Sequence, residues 1–391
     1  MKLRHLLLLL LVPALLACSK DNDENSDNND NQEVNTPEEQ EELPTEVKDG
    51  DIVLSTNAVV EKFLNDVHYP NHDYSYTSLL TWAEANDVNV CPGKWDKPQT
   101  YSIRWKEVSG DVTVKLWEGS WSREQTVSEV NYLAITNLRP NADYHFEVKD
   151  ASGNILNQGA FKTTGHVHQL FFKNYIRNCR DLGGWKTESG KTVKYRMVYR
   201  GGRLDPNMVS KAGAKDIAAE GIKAQLDLRG KSDVLSKSTL GDDPEEYPFC
   251  APVIEEGYST LLKNDKDRAR QCMQFIMDCV DRNKPVYFHC SLGRDRTGTI
   301  AMLTLGVLGV PEGDISQEYE LTQFSVSGFA TSSGETTKMT RLADYDSAAN
   351  VIWTYVDESK GETFADGVEK YLIEIGISKA DIDKFRSNML Q

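Results

Sequence analysis

The stretch Pro285-Val286-Tyr287-Phe288-His289-Cys290-Ser291-Leu292-Gly293-Arg294-Asp295-Arg296-Thr297-Gly298 decides how this chain folds. Its first four residues read as a short buried strand bounded by proline, and the apolar run over 299–308 reads as a helix. The glycine-containing loop between them therefore opens a helix, where unpaired backbone N–H groups and the helix dipole favour an anion. Strand, loop and helix in that order predict an α/β domain with the loop at the carboxyl ends of its strands.

That setting decides what Cys290 can do. The thiolate, not the thiol, is the nucleophile, and a helix N-terminus with cations nearby favours it. Arg296, six positions on, carries a planar fork of donors suited to two phosphate oxygens at once. Ser291, Leu292, Gly293, Arg294, Asp295 and Arg296 form the candidate phosphate cradle, placed to stabilise charge as it spreads over the equatorial oxygens. The Thr297 hydroxyl could hydrogen-bond the thiolate. No metal or cofactor is required.

With these neighbours, the loop resembles the phosphate loop of cysteine-dependent phosphatases. Three further elements are similar to the bacterial tyrosine-phosphatase-like family, whose loop reads His-Cys-x-x-Gly-Lys-Asp-Arg-Thr-Gly. They are Asn178-Cys179-Arg180-Asp181-Leu182-Gly183-Gly184, Tyr199-Arg200-Gly201-Gly202-Arg203-Leu204 and Leu226-Asp227-Leu228-Arg229. The resemblance runs well over 175–325 and loosely beyond. It implies a catalytic domain over 166–391 with a central, mostly parallel sheet flanked by helices. Strands are expected near 197–199, 224–228 and 286–289, with helices over 212–220 and 266–282. Cys290 is then the nucleophile and Arg296 the phosphate ligand, supported by His289 and Thr297; Asp181, Asp227 and Arg229 tie the sheet's ends to the loop. Arg294 stands where the family has Lys, and Cys179 where it has an aromatic. Cys179 reads as core packing, with a redox partner for Cys290 as the sharper alternative.

A carboxylic acid that protonates the leaving group speeds its expulsion. The segment Cys250-Ala251-Pro252-Val253-Ile254-Glu255-Glu256-Gly257-Tyr258, where most cysteine phosphatases carry such an Asp, has none. Asp295 inside the loop is the candidate, as the resemblance also implies. The other reading makes it a partner that orients Arg294 or Arg296. Glu255 and Glu256 stand in reserve.

Lys2, Arg4 and His5 precede an apolar run, 6–12, too short to span a bilayer and right for a signal peptide. Leu15-Leu16-Ala17-Cys18 resembles a bacterial lipoprotein signal, residues 1–17, with Cys18 lipidated after cleavage and the protein anchored to a membrane. Residues 18–50 follow as an acidic disordered tether, with 12 Asp and Glu against two Lys between Lys20 and Gly50, within a net charge of −16. Its start, 19–24, resembles an export tag to the cell surface, with a plain spacer as the alternative. The address is the bacterial cell envelope, at the outer membrane, and the charge argues against nucleic acid.

Residues 51–80 form a helical extension. Ser55-Thr56-Asn57 caps a helix carrying Val59, Val60, Phe63, Leu64 and Val67 on one side, ended by Pro70. Apolar and polar residues then alternate over 81–165, predicting an all-β sandwich of seven strands. Leu138-Arg139-Pro140-Asn141-Ala142-Asp143-Tyr144 resembles the tyrosine corner of fibronectin type III domains. Trp117 and Trp121 read as packing residues, or else as a partner surface. His166 and His168 mark the domain junction, not a metal site. Cys91, Cys179, Cys250, Cys272 and Cys279 show no disulfide framework, and 325–345, rich in Ser, Thr and Gly, reads as an inserted loop.

The whole reads as an anchored, metal-independent phosphomonoester hydrolase working through a phosphocysteine. Phosphotyrosine in proteins is the first substrate; phosphoinositides or inositol phosphates are the rival and sugar phosphates the third. Two other classes are a surface binding protein with an inactive phosphatase domain and a thiol-based sulfur or arsenate enzyme. The intact Cys290, Arg296 and Thr297 speak against the first of these, and the matching upstream elements against the second.

Overall fold

Alternating apolar residues bury one face of strands such as Asp111–Glu118 and Asp143–Asp150, and two sheets close on a shared core. The computed structural model describes residues 43–71, 76–90, 95–173, 176–205, 210–325 and 343–391. The signal peptide with Cys18, most of the acidic tether, Cys91 and most of the loop expected over 325–345 lie outside these residues. The strands are β1 (Thr45–Glu46), β2 (Ile52–Leu54), β3 (Tyr101–Arg104), β4 (Asp111–Glu118), β5 (Trp121–Ser128), β6 (Tyr132–Ile135), β7 (Asp143–Asp150) and β8 (Ile155–Thr164). They run β1-β3-β6 in one sheet and β2-β8-β7-β4-β5 in the other. The Tyr144 hydroxyl accepts the Arg139 N–H at 2.7 Å, the kind of corner contact expected of this segment.

Over 81–165, where seven strands were expected, the described residues form six, β3–β8. β1 and β2 come from segments read as tether and helical extension, and they pair in parallel with β3 and β8. Strands of two and three residues are too short to alternate visibly. Between them and β3 the chain leaves the sandwich. Helices α1 (Ala58–Asp66), capped by the Asn57 side chain, and α2 (Tyr76–Ala85) bury Val60, Phe63, Leu64, Leu79 and Trp82 in the core of the C-terminal half. The boundary expected at 80/81 thus falls inside a helix, and the sandwich resumes only at Tyr101.

The C-terminal half carries β9 (Arg180–Asp181), β10 (Val198–Gly201), α3 (Lys211–Glu220), β11 (Ala224–Asp227), β12 (Phe249–Cys250), α4 (Tyr258–Asn264), α5 (Lys266–Asp281) and β13 (Val286–His289). After these come α6 (Asp295–Val307), α7 (Glu312–Glu320), α8 (Ala343–Trp353), α9 (Phe364–Glu374) and α10 (Lys379–Met389). The sheet order is β12-β11-β13-β10-β9, parallel except for β9 at the edge. Because β13 is central, Cys290 leaves the middle of the sheet's carboxyl edge, with Gly201 and Asp227 paired to His289 on either side. Helices α5 and α6 pack on one face of the sheet, with α9 against α6 and α10 against α5. On the other, Ile217 of α3 packs with Tyr199, Tyr287 and Cys179. Cys179 is thus a packing residue in a different cluster from Cys290, and burial pushes its thiol up.

Residues Pro44–Gln391 form one compact unit. The Arg196 guanidinium lies 3.7 Å from the Trp121 ring centroid and donates to the Tyr144 hydroxyl at 3.0 Å, joining the two halves. Buried His168 bridges the Asp181 carboxylate at 3.2 Å and the Asn137 carbonyl at 3.0 Å.

Candidate active site

Cys290 directly follows β13 and is buried. Gly293 holds a left-handed φ of +71°, and a Cβ there would fall 2.4 Å from the Gly201 carbonyl carbon. Only glycine lets the loop seat on the turn that ends β10. The loop carbonyls are held from behind. Gly293 O accepts from the Asn178 amide at 2.9 Å and from the Arg200 guanidinium, and Ser291 O accepts the Arg203 N–H at 3.2 Å. A loop held in this way at the start of α6 stands where the helix dipole favours an anion. That helix begins at Asp295 rather than at 299, so its first turn is built from the loop itself.

A buried ionic cluster backs this arrangement. Glu318 accepts from Arg180 at 2.7 Å and from Arg200 at 2.8 Å, while Arg180 also donates to the Asn178 side-chain oxygen Oδ1. Burial pushes the Glu318 carboxyl upward, but the two guanidiniums outweigh it and hold the group below the usual range. Asp96, ahead of the sandwich, accepts the Asn178 N–H at 3.1 Å. Sequence reasoning did not place these residues at the site. Asn178, Arg180 and Arg200 lay inside the elements that carried the resemblance, and Glu318 inside 309–319, which is similar to the family's next turn and helix.

His289 is buried beneath the loop. The Thr239 N–H donates to Gln225 Oε1 at 2.8 Å, which leaves the Gln225 amide nitrogen 2.9 Å from His289 Nε2. Nε2 therefore accepts, and the protonated Nδ1 faces the Cys290 carbonyl at 3.3 Å. Asp227 and Arg229 are joined at 2.8 Å; Arg229 reaches Asp205 at 2.8 Å and lies 4.0 Å from Asp233. Asp233 accepts from the Ser291 hydroxyl at 3.1 Å, so this chain does end at the loop.

Two supporting roles are corrected. Asp181 does not tie the sheet to the loop. β9 runs antiparallel to β10, so Arg180 lies beside the loop while Asp181 turns to His168 and the Arg196 N–H, at the sandwich. The buried Thr297 hydroxyl has no hydrogen-bond partner among the described residues, so the expected bond to the thiol is not made. Asp295 accepts from Arg294 Nε at 2.5 Å and Nη2 at 3.2 Å, and from the Tyr258 hydroxyl. It orients Arg294 and not Arg296, whose Nη1 donates to Ile254 O at 3.1 Å. Glu255 and Glu256 are exposed, and Glu255 is engaged by the Lys231 N–H at 3.0 Å.

A cysteine and an arginine on a loop that leaves the central strand of a parallel sheet and opens a helix make up a phosphatase-type domain. Residues 173–391 match the model of the tyrosine phosphatase family, more than half of the chain, and the chain belongs to that family. A protein of Cupriavidus necator provisionally named a tyrosine-protein phosphatase is 28% identical over 180 residues, covering 39% of this chain and 62% of the relative. A tyrosine-protein phosphatase of Nostoc commune is 27% identical over 150 residues, covering 34% and 50%. The match thus spans less than two thirds of either relative. The crystal structure of P. aeruginosa TpbA overlays loosely, with a TM-score of 0.31 and 13% identity, covering 48% of this chain and 91% of that one. A TpbA structure in complex with pTyr gives 0.26 and 15%, over 34% and 74%.

Proposed function

We propose that this chain is a cysteine-dependent phosphomonoesterase whose first substrate class is phosphotyrosine in proteins. The observation that carries the reading is the seat of Gly293 on Gly201, with the loop carbonyls drawn back by Asn178 and Arg200. With those carbonyls held back, the loop amides at the start of α6 are the groups expected to surround a phosphoryl group beside Cys290. In this reading the Cys290 thiolate attacks phosphorus, the P–O bond to the phenol breaks, and Asp295 gives the leaving oxygen a proton. Water then attacks the phosphocysteine, Asp295 takes its proton back, and inorganic phosphate leaves as the thiolate reforms. Arg296 and the loop amides stabilise the equatorial charge in both steps, and no metal takes part.

The two N-terminal sheets are, in this proposal, a fibronectin type III-like module. A lipid on Cys18 holds the protein at the outer membrane, and Cys18→Ser is expected to move it from the membrane to the soluble fraction of its host. The principal test is phosphate release by residues 44–391 with a chelator present, against phosphotyrosine and phosphoserine peptides, phosphoinositides, inositol phosphates and sugar phosphates. Chelator-resistant turnover that disappears in Cys290→Ser is expected, fastest on phosphotyrosine. A phosphoinositide or inositol phosphate in first place would replace the substrate and keep the mechanism. No turnover on any member would leave the binding-protein reading.

A further inference from the structure

Residues 252–258 cross the start of α6 as a strap. Gly257 lies so close that a Cβ would stand 3.1 Å from the Arg296 nitrogen. Val253 and Tyr258 both hold left-handed backbone, at φ 60° and 53°, a costly state for a β-branched or bulky side chain that persists only where surroundings enforce it. The enforcing contacts lie along the whole strap. Pro252 O accepts from Arg268 Nε at 2.8 Å, the Ile254 N–H donates to Arg229 O at 3.2 Å, and the Tyr258 N–H donates to Thr299 Oγ1 at 2.8 Å. Thr299 Oγ1 in turn donates to the Asp295 carbonyl at 3.0 Å.

The strap delivers two polar groups to the loop, the Ile254 carbonyl to Arg296 and the Tyr258 hydroxyl to the Asp295 carboxylate. Since that hydroxyl donates to the carboxylate, it accepts from the Tyr319 hydroxyl 2.8 Å away. Burial, reinforced by Tyr319 and Asp295, holds Tyr258 well above the ordinary phenol value, so it stays a donor across the working pH range.

We propose that Tyr258 is a positioning residue for the reaction: its hydroxyl fixes the Asp295 carboxyl beside the bound phosphoryl group. The proposal rests on the phosphatase reading above and on Asp295 as proton donor. Tyr258→Phe removes only the hydroxyl. On a phosphotyrosine peptide, whose leaving group needs a proton, kcat/KM, which reports the attack by Cys290 and not the later hydrolysis common to all substrates, is expected to fall about ten- to hundredfold. On 4-nitrophenyl phosphate, whose leaving group departs without one, the loss is expected to be much smaller. Asp295→Asn should give the same pattern, and the double variant should be no slower than Asp295→Asn alone. Thr299→Val, which frees the strap's N–H anchor, should repeat the pattern more weakly and keeps the test open if Tyr258→Phe does not fold. Equal losses of kcat/KM on both substrates, additive effects in the double variant, or wild-type kcat/KM in Tyr258→Phe overturn the proposal while the phosphatase reading stands. A wild-type chain without Cys290-dependent turnover overturns both.

Discussion

Gly293 seats the loop on Gly201, Glu318 holds the Arg200 that reaches the Gly293 carbonyl, and each can be tested alone. A Cβ at Gly293 meets backbone, not a flexible side chain, and the residue sits at φ +71°. Gly293→Ala must push the loop off Gly201, so we expect a drop in phosphate release of about 100-fold or more. Urea unfolding should show a loss of about 1–3 kcal/mol. Glu318→Ala leaves Arg180 and Arg200 buried without a counter-charge, and the same measurement should show a loss of about 3–5 kcal/mol. Cys290, Arg296 and Gly293 were legible in the sequence because their setting, strand and helix included, lies within about two dozen consecutive residues. Asn178 and Glu318 act over more than a hundred residues of separation, where spacing says nothing. Asp181 was misread because a motif does not disclose which end of an antiparallel edge strand faces the site.

At the scale of elements, β11 and β13 are joined below the loop by Gln225 and His289. Burial holds His289 below the ordinary imidazole value, although Asp227 opposes it. The unfolded chain therefore takes up this proton near pH 6.5, before the folded one does. Its contribution to stability is fully present above that pH and is lost as pH falls through the window beneath it. Urea midpoints measured across that window should fall for the wild type and fall less for His289→Gln. If the two profiles are parallel, His289 is not the group responsible. Within the catalytic sheet β10, β11 and β13 were readable, being buried on both faces, whereas the two-residue β9 and β12 were not. β5 was not, since it is an edge strand of largely exposed polar residues. β1 and β2 owe their strand character to partners far along the chain.

For the whole molecule, the order of domains along the chain is misleading. Phe63 of α1 packs 4.9 Å from Phe324 and 5.4 Å from Trp82, ring centre to ring centre, inside the catalytic core. Gln317 Nε2 donates to Leu64 O at 3.2 Å, and the Gly313 N–H donates to Asn71 Oδ1 at 3.0 Å. A chain begun at 166, the boundary the sequence suggested, is expected to expose this apolar face. It should melt lower and aggregate more than residues 44–391, which should unfold in one transition by calorimetry. Two separate transitions in the longer chain would show that sandwich and catalytic core are energetically independent.

The excursion of α1 and α2 also bears on the order in which the protein can be made. The ribosome delivers these helices early, yet the Gln317 of α7 that receives Leu64 comes 253 residues later, and Phe324 later still. At about 5–20 residues per second they wait many seconds with their apolar faces uncovered. The sandwich strands on either side of them can meet long before that. The newborn chain thus passes through a stage in which a finished sandwich carries an unfinished, sticky loop, and that stage is when a chaperone is needed most.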